Sequence, residues 1–502
     1  MPIVPIAFVA SALAAFLVTP LLLRALLARG VYGHSRIREG VEHNPVPRLG
    51  GVAVFVATAA SVVAVLAAYG WGAAVGLEKP ATFFGGLLLA GFLVFAAGVV
   101  DDLYNLPPKT KLLAQVAAAL VAWQAGFRIE HFTFFGTLDL HALSLPVTLL
   151  WIVAVTNAFN LIDGLDGLAT AIALVALSTT LALSVALGNW PVALVCAALA
   201  GALVGFFRYN FRPARIFLGD SGSLFVGFML AVLSVHGATK SATAVLTVVP
   251  VMVLALPLLD TGLAIVRRWL RGRPIFGADE RHLHHRLQAI GLTPTRAAVL
   301  LAVLAAGIAM FGVMLFFARE QRMVVLIAVP GGVLGVALLL FGIKRLGYHE
   351  FVEAGAVMAN WPGRMRRAIR DRIHARDVAH VLAHAESVDH LRAILADNAE
   401  VMGLLSLAFC RCQSPEGQRD SLPSTVSPTA LKVDFPLRVE DAPEGDPWVL
   451  RAWCDGSDPH ALPDAVRVVH LLAEAVEAWL EHGPARRLPH ARAVGVPEAV
   501  AG

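Results

Sequence analysis

LSLPVTLLWIVAVTNAFNLIDGLDGLATAIALVALSTTLALSVAL, Leu143 to Leu187, decides the fold. Two apolar runs, Leu143 to Ala158 and Leu168 to Leu187, flank a stretch holding Asn157, Asn160, Asp163 and Asp166. Each run is near the roughly 20 residues that a helix needs to cross a bilayer. A carboxylate at the centre of a spanning helix costs on the order of 3 kcal/mol, so the acids belong at a membrane surface and need a compensating role. If the stretch continues into the following helix, Asp163 and Asp166 lie three residues apart on one face, and Asn157 and Asn160 extend the same polar stripe. A single residue suffices to cap a helix, which leaves a cluster of four unexplained by capping alone.

The same pattern repeats along the chain. Further apolar runs span Val4 to Leu27, Gly51 to Tyr69, Phe83 to Val100, Leu112 to Gly126, Val192 to Phe207, Leu224 to His236, Ala242 to Val266, Ala297 to Phe317 and Met323 to Phe341. With 57% hydrophobic and 15% charged residues among 502, and a mean hydropathy of +0.70, a soluble globule is excluded. The expectation is an all-α polytopic membrane protein of about eleven transmembrane helices. The first run has no basic segment before it and reads as a retained helix, not a cleaved signal.

Lys and Arg set the orientation. One set of alternate loops carries Arg29, Arg36, Arg38, Arg48, Lys109, Lys111, Arg208, Arg212, Arg215, Arg267, Arg268, Arg271, Arg273, Arg281 and Arg286; the other carries Lys79, Arg128, Lys240, Arg319 and Arg322. The first set is expected in the cytosol and the N-terminus outside, in a cytoplasmic membrane. A net charge of +4, placed as topology requires, gives no support to nucleic-acid binding.

After Phe341 the composition turns polar, which predicts a membrane domain over residues 1–346 and a soluble cytosolic α+β domain over 347–502, regulatory in role. Its expected elements are a helix around Val378 to Leu407, strands in LKVDFPLRV and WVLRAWCD, and an amphipathic helix from Ala465 to Leu480. Cys196, Cys410, Cys412 and Cys454 show no paired CxxC spacing, so neither a disulfide framework nor a zinc module is indicated.

Three more polar clusters fall in the cytosolic set. In GVVDDLYNLPPKTKLLAQ, Asp101 and Asp102 close one helix and Lys109 and Lys111 open the next; adjacent carboxylates repel unless a cation sits beside them. In RPARIFLGDSGSLFVG, Asp220 stands between glycines at a helix start, with Ser221 and Ser223 close by, a set suited to Mg²⁺. In RRWLRGRPIFGADERHLHHRL, His282, His284 and His285 lie between Arg281 and Arg286, which suits a diphosphate better than zinc. Asp260, seven residues before Arg267, reads as a neutralising partner for an arginine.

These motifs, in this order and on one membrane face, resemble the polyprenyl-phosphate N-acetylhexosamine-1-phosphate transferase family over about Val4 to Phe341, and HNPVPRLGG from His43 to Gly51 is similar to the family's first cytosolic loop. The resemblance implies transfer of a sugar 1-phosphate from a UDP-N-acetylhexosamine to undecaprenyl phosphate in the lipid bilayer, with release of UMP. It implies Mg²⁺, or Mn²⁺ in its place, held by Asp220 with Asp101 or Asp102. The catalytic set is then Asp101, Asp102, Asp163 and Asp166, and the substrate-binding set is Lys111, Asn157, Asn160, Arg281, His282, His284, His285 and Arg286. HLHHRL, in place of three consecutive histidines, points to GlcNAc-1-phosphate transfer; phospho-MurNAc-pentapeptide transfer and membrane transport are the alternatives. A homodimer is compatible with this reading.

Overall fold

The computed structural model describes residues 2–32, 46–70, 77–133, 137–238, 251–270, 282–318, 321–346, 365–411, 430–437, 448–455 and 461–482. Two compact units emerge: Met1–Ile265 with Phe276–Leu338, and Val266–Ile275 with Leu339–Gly502.

The first unit is helical. Its helices are α1 (Ile3–Ala28), α2 (Gly50–Tyr69), α3 (Pro80–Tyr104), α4 (Pro108–Gln124), α5 (Ser144–Ile162), α6 (Leu168–Ala186), α7 (Trp190–Asn210), α8 (Gly219–Ala238), α9 (Ala255–Leu270, whose last turn belongs to the second unit), α10 (Leu283–Ala289), α11 (Pro294–Phe317) and α12 (Gln321–Arg345, which belongs to the second unit from Leu339 on). A short hairpin of β1 (His131–Thr133) and β2 (Thr137–Asp139) precedes α5. The chain is a multi-pass membrane protein. Among the described residues eight helices are long and apolar enough to cross a bilayer: α1, α2, α3, α5 with the turn before it, α6, α7, most of α8, and α11. The other expected spans fall on α4, with 17 residues, on α9, with 16, and on α12, whose described apolar part is Leu326–Leu338.

Small side chains set the packing. Between lipid-immersed helices there is little hydrophobic drive, so close backbone approach supplies the contact. Helix α7, rich in Ala and Gly, is buried along almost its whole length and packs against α1, α2 and α6. Helices α3 and α8 cross at Gly98, where a Cβ would come within 2.5 Å of the Asp220 carbonyl oxygen.

The expectation of one polar helical stripe through Asn157, Asn160, Asp163 and Asp166 is corrected. Helix α5 ends at Ile162, Asp163 is its C-cap, and α6 begins only after Gly167, whose φ of +75° breaks the helix between them. The amides stay on α5 and the acids occupy the connection.

The second unit contains α13 (Met365–Leu382), α14 (Val388–Asn398), β3 (Ser406–Arg411), β4 (Ala430–Pro436), β5 (Trp448–Asp455) and α15 (Ala461–His482). The strands form an antiparallel sheet in the order β3-β5-β4. Alternate residues Leu450, Ala452 and Cys454 of β5 join Leu407, Phe409, Leu472, Val476 and Trp479 in one core. The continuous helix expected over Val378 to Leu407 is instead the end of α13, a break, α14 capped by Ser387, and the start of β3. Cys410 and Cys454 are buried and unbridged; Cys412 lies outside the described residues.

Candidate active site

The site assembles where α3 ends, α4 and α8 begin, and α5 passes into α6. Lys111, on the first turn of α4, places its Nζ 2.9 Å from Asp101 Oδ2 and 3.0 Å from Asp220 Oδ2. Asp101 Oδ1 accepts from the Leu106 amide at 2.7 Å, which folds the chain after α3 back toward α4. Two carboxylates from distant segments therefore share one ammonium.

Asp102 faces elsewhere. Its Oδ1 accepts from the Asp220 amide at 2.8 Å and its Oδ2 from the Ser221 amide at 3.0 Å, so a residue of α3 caps the N-terminus of α8. The first amides of a helix have no partner within it and attract an anion. Both oxygens of Asp102 are thus engaged by backbone, with one amide on each. The segment ahead of α2 lies beside this turn: the Phe217 amide donates to Pro47 O at 2.8 Å, and the Gly50 and Gly51 amides donate to Phe217 O and Leu218 O at 3.0 and 2.8 Å.

Asn160 accepts from Ser223 Oγ at 2.6 Å, tying α5 to α8. Asn157, one turn earlier, pairs with Gln115 of α4 through both amide groups, at 2.5 and 3.3 Å, and donates to Val153 O at 2.8 Å. It binds helix to helix. In the connection, Asp166 Oδ2 accepts from the Ala214 amide at 3.4 Å. Asp163, though only partly covered at its surface, lies deep among protein atoms; that burial and the charges of Asp220, Asp102 and Asp166, against an opposing Arg48, push it up to about 7.

The histidine motif reaches the same loop. A Cβ at Gly164 would collide with the ring of His284, so only glycine lets α10 settle on the connection. His282 and His284 are buried, with parallel rings 6.0 Å apart, and His285 lies against His284 at 4.1 Å. Arg286 sits within α10, while Arg281 and His43 to Pro45 lie outside the described residues. The arrangement joins Asp101, Lys111 and Asp220 directly, Asn160 through Ser223, and His284 through Gly164.

Some participants were not assigned from sequence. Gln115 is buried in α4 and was signalled only by being an amide in an apolar helix. Among the described residues Asp260 meets the histidine motif in place of the arginine expected of it: its Oδ2 lies 3.1 Å from His282 Nδ1, and its Oδ1 accepts from the Leu283 amide at 2.8 Å. Asn210 accepts from Thr170 Oγ1 and donates to Ile216 O, pinning the segment before α8.

Residues 84–238, which contain the acidic cluster, match the profile of Glycosyl transferase family 4. The chain is 36% identical over 291 residues to a probable undecaprenyl-phosphate N-acetylglucosaminyl 1-phosphate transferase of Bacillus subtilis (strain 168), covering 57% of this chain and 78% of that protein. The chain belongs to glycosyl transferase family 4. A decaprenyl-phosphate N-acetylglucosaminephosphotransferase of Mycobacterium tuberculosis (strain ATCC 25618 / H37Rv) is 36% identical over 352 residues, 64% of this chain and 85% of its own length. An undecaprenyl-phosphate alpha-N-acetylglucosaminyl 1-phosphate transferase of Yersinia pestis is 30% identical over 300 residues, 57% and 78% respectively. All three matches are long enough to reach beyond residues 84–238, so the likeness to family 4 proteins is not confined to the acidic cluster.

Proposed function

We propose that this family 4 protein transfers GlcNAc 1-phosphate from UDP-GlcNAc to a polyprenyl phosphate, undecaprenyl phosphate in the first instance, as the opening membrane step of an envelope glycan. The relatives' names support that sugar and that acceptor over a MurNAc-pentapeptide donor or transport. The observation that carries the reading is the cluster of Asp101, Lys111 and Asp220 at the ends of membrane helices, where a lipid phosphate and a soluble nucleotide can meet. In this reading eleven helices span the cytoplasmic membrane, the N-terminus is outside, and the site faces the cytosol.

The chemistry balances without a proton. A phosphate oxygen of the acceptor bonds to the sugar-bearing phosphorus, the bond from that phosphorus to the bridging oxygen breaks, and UMP departs with the electron pair. A phosphate monoester with a second pKa of about 6 is already mostly dianionic at neutral pH, so the protein's task is to gather anions and hold them in line. Lys111 brings positive charge between Asp101 and Asp220. His282, His284, His285, Arg281 and Arg286 stabilise diphosphate charge, and Asn160 and Asp166 hold the walls of the site.

Mg²⁺ fits the residues present. The carboxylates of Asp101, Asp220, Asp163 and Asp166 outnumber the one lysine among them, and burial, with the neighbouring carboxylate charges, pushes Asp163 up to about 7. Among the described residues no three ligating side chains gather as a preformed cage. That suits Mg²⁺, which takes one or two carboxylates and completes its shell with phosphates and water. Asp220 would hold it, with Asp101 alongside, and the ion would supply charge neutralisation at the diphosphate.

The test is UMP release from UDP-GlcNAc by the purified protein. Release should require both polyprenyl phosphate and Mg²⁺, stop with EDTA, and fall to a few per cent or less in Asp220→Asn with the fold retained. UMP release that is indifferent to the acceptor would overturn the reading.

A further inference from the structure

Asp260 lies in α9 and His282 at the threshold of α10, 22 residues apart, and both are buried. The carboxylate uses both oxygens: one meets His282 Nδ1 at 3.1 Å, the other takes the Leu283 amide at 2.8 Å. A carboxylate can only accept, so the ring must carry its proton on Nδ1, in either charge state, and Nε2 is the atom left for anything else. The same contact fixes the plane of the ring, which is parallel to that of His284, and His284 rests on Gly164 in the connection between α5 and α6. A chain of contacts thus runs from Asp260 through two histidines to the loop of Asp163 and Asp166.

We propose that Asp260 is a positioning residue: it holds His282 in the Nδ1-protonated form and anchors the start of α10 over the acidic loop, so that Nε2 of His282 is the atom presented to the diphosphate. This inference rests on the transferase reading for its effect on turnover, and on geometry alone for the tautomer. Asn in place of Asp260 offers one acceptor and one NH2 group. With its oxygen on the Leu283 amide, the NH2 faces Nδ1, and the neutral ring must move its proton to Nε2.

The experiment uses the full chain, wild type and Asp260→Asn, His282→Ala and the double variant, with two readouts. In 15N-histidine NMR, the His282 signal is assigned by its loss in His282→Ala; it should show Nδ1–H in the wild type and Nε2–H in Asp260→Asn. In UMP-release kinetics, Asp260→Asn should lower kcat by about 10- to 100-fold, the range for losing the partner that orients a functional histidine, with KM for UDP-GlcNAc within about threefold. The double variant should be no worse than His282→Ala, because the two act as a unit. An Nε2–H signal in the wild type overturns the proposal, even if Asp260→Asn fails to fold. So does wild-type kcat in a folded Asp260→Asn. A tautomer switch in a protein that releases no UMP at all would sustain the positioning role while rejecting the transferase reading.

Discussion

Asp101 and Asp102 are adjacent in sequence and serve different partners, because successive residues on a helix point about 100° apart. One turns to Lys111 and the other to the amides of α8. Sequence alone marked the pair as repelling unless a cation sat beside it, but which acid met which partner depended on a helix more than a hundred residues away. Asp163 gives the sharpest residue-scale prediction. Its folded value of about 7 exceeds the ordinary 3.8, so the folded protein holds this proton more tightly than the unfolded chain. Its contribution to stability is therefore full below about pH 4 and is lost as pH rises to about 7. The melting temperature of metal-free protein should fall from pH 5 to pH 7.5, Asp163→Asn should flatten that slope, and Mg²⁺ should restore stability at the upper end. An equal slope in Asp163→Asn would remove the acid from the cluster. If Asp163 and Asp166 serve one site, each single Asn variant should cut turnover strongly and the double should be little worse than the poorer single. Near-normal turnover in the double would reduce both to structural roles.

At the scale of elements, α8 is placed by α3. Gly98 lets the two backbones touch, and Asp102 receives the first amides of α8, so Asp220 is aimed by a contact it does not itself make. Asp102→Ala leaves two buried donors unmatched and should cost about 1–3 kcal/mol of stability per donor, with turnover lost as well. Gly98→Val should do both by separating the helices. Thermal unfolding in detergent beside UMP release checks this, and a stable, inactive Asp102→Ala would return Asp102 to the chemistry. Eight of the expected spans, among the described residues, were legible, since apolar runs of membrane length admit few other readings, and β5 coincides with WVLRAWCD. What misled was periodicity in short polar stretches. The three-residue step from Asn157 to Asp166 looks helical, yet α5 ends at Ile162, Gly164 admits His284, and Gly167, with positive φ, turns the chain into α6. Likewise the apolar positions from Val378 to Leu407 serve two helices and a strand in one core, and no local pattern marks where one becomes the next.

For the whole molecule, the question is what the second unit does for the first. Every motif that the proposed chemistry uses lies before Leu292, and the second unit has a core of its own between a three-stranded sheet and its helices. The two are nevertheless linked through α9. That helix carries Asp260 within the first unit, and its last residue, Leu270, is buried with Ile369 and Ile373 of α13 in the second. Removing everything after Gly347 would expose Leu270 while leaving the site's own contacts intact, so the truncated protein should insert and release UMP at a reduced but measurable rate. Leu270→Asp in the full chain should reproduce that reduction, since it disrupts the same packing without removing the unit. A truncated protein that inserts normally yet has no activity would mean that the second unit completes the site. Equal activity in truncated and full-length protein, with Leu270→Asp silent as well, would leave α9 indifferent to what packs on its last turn and would confine the role of the second unit to partners outside this chain.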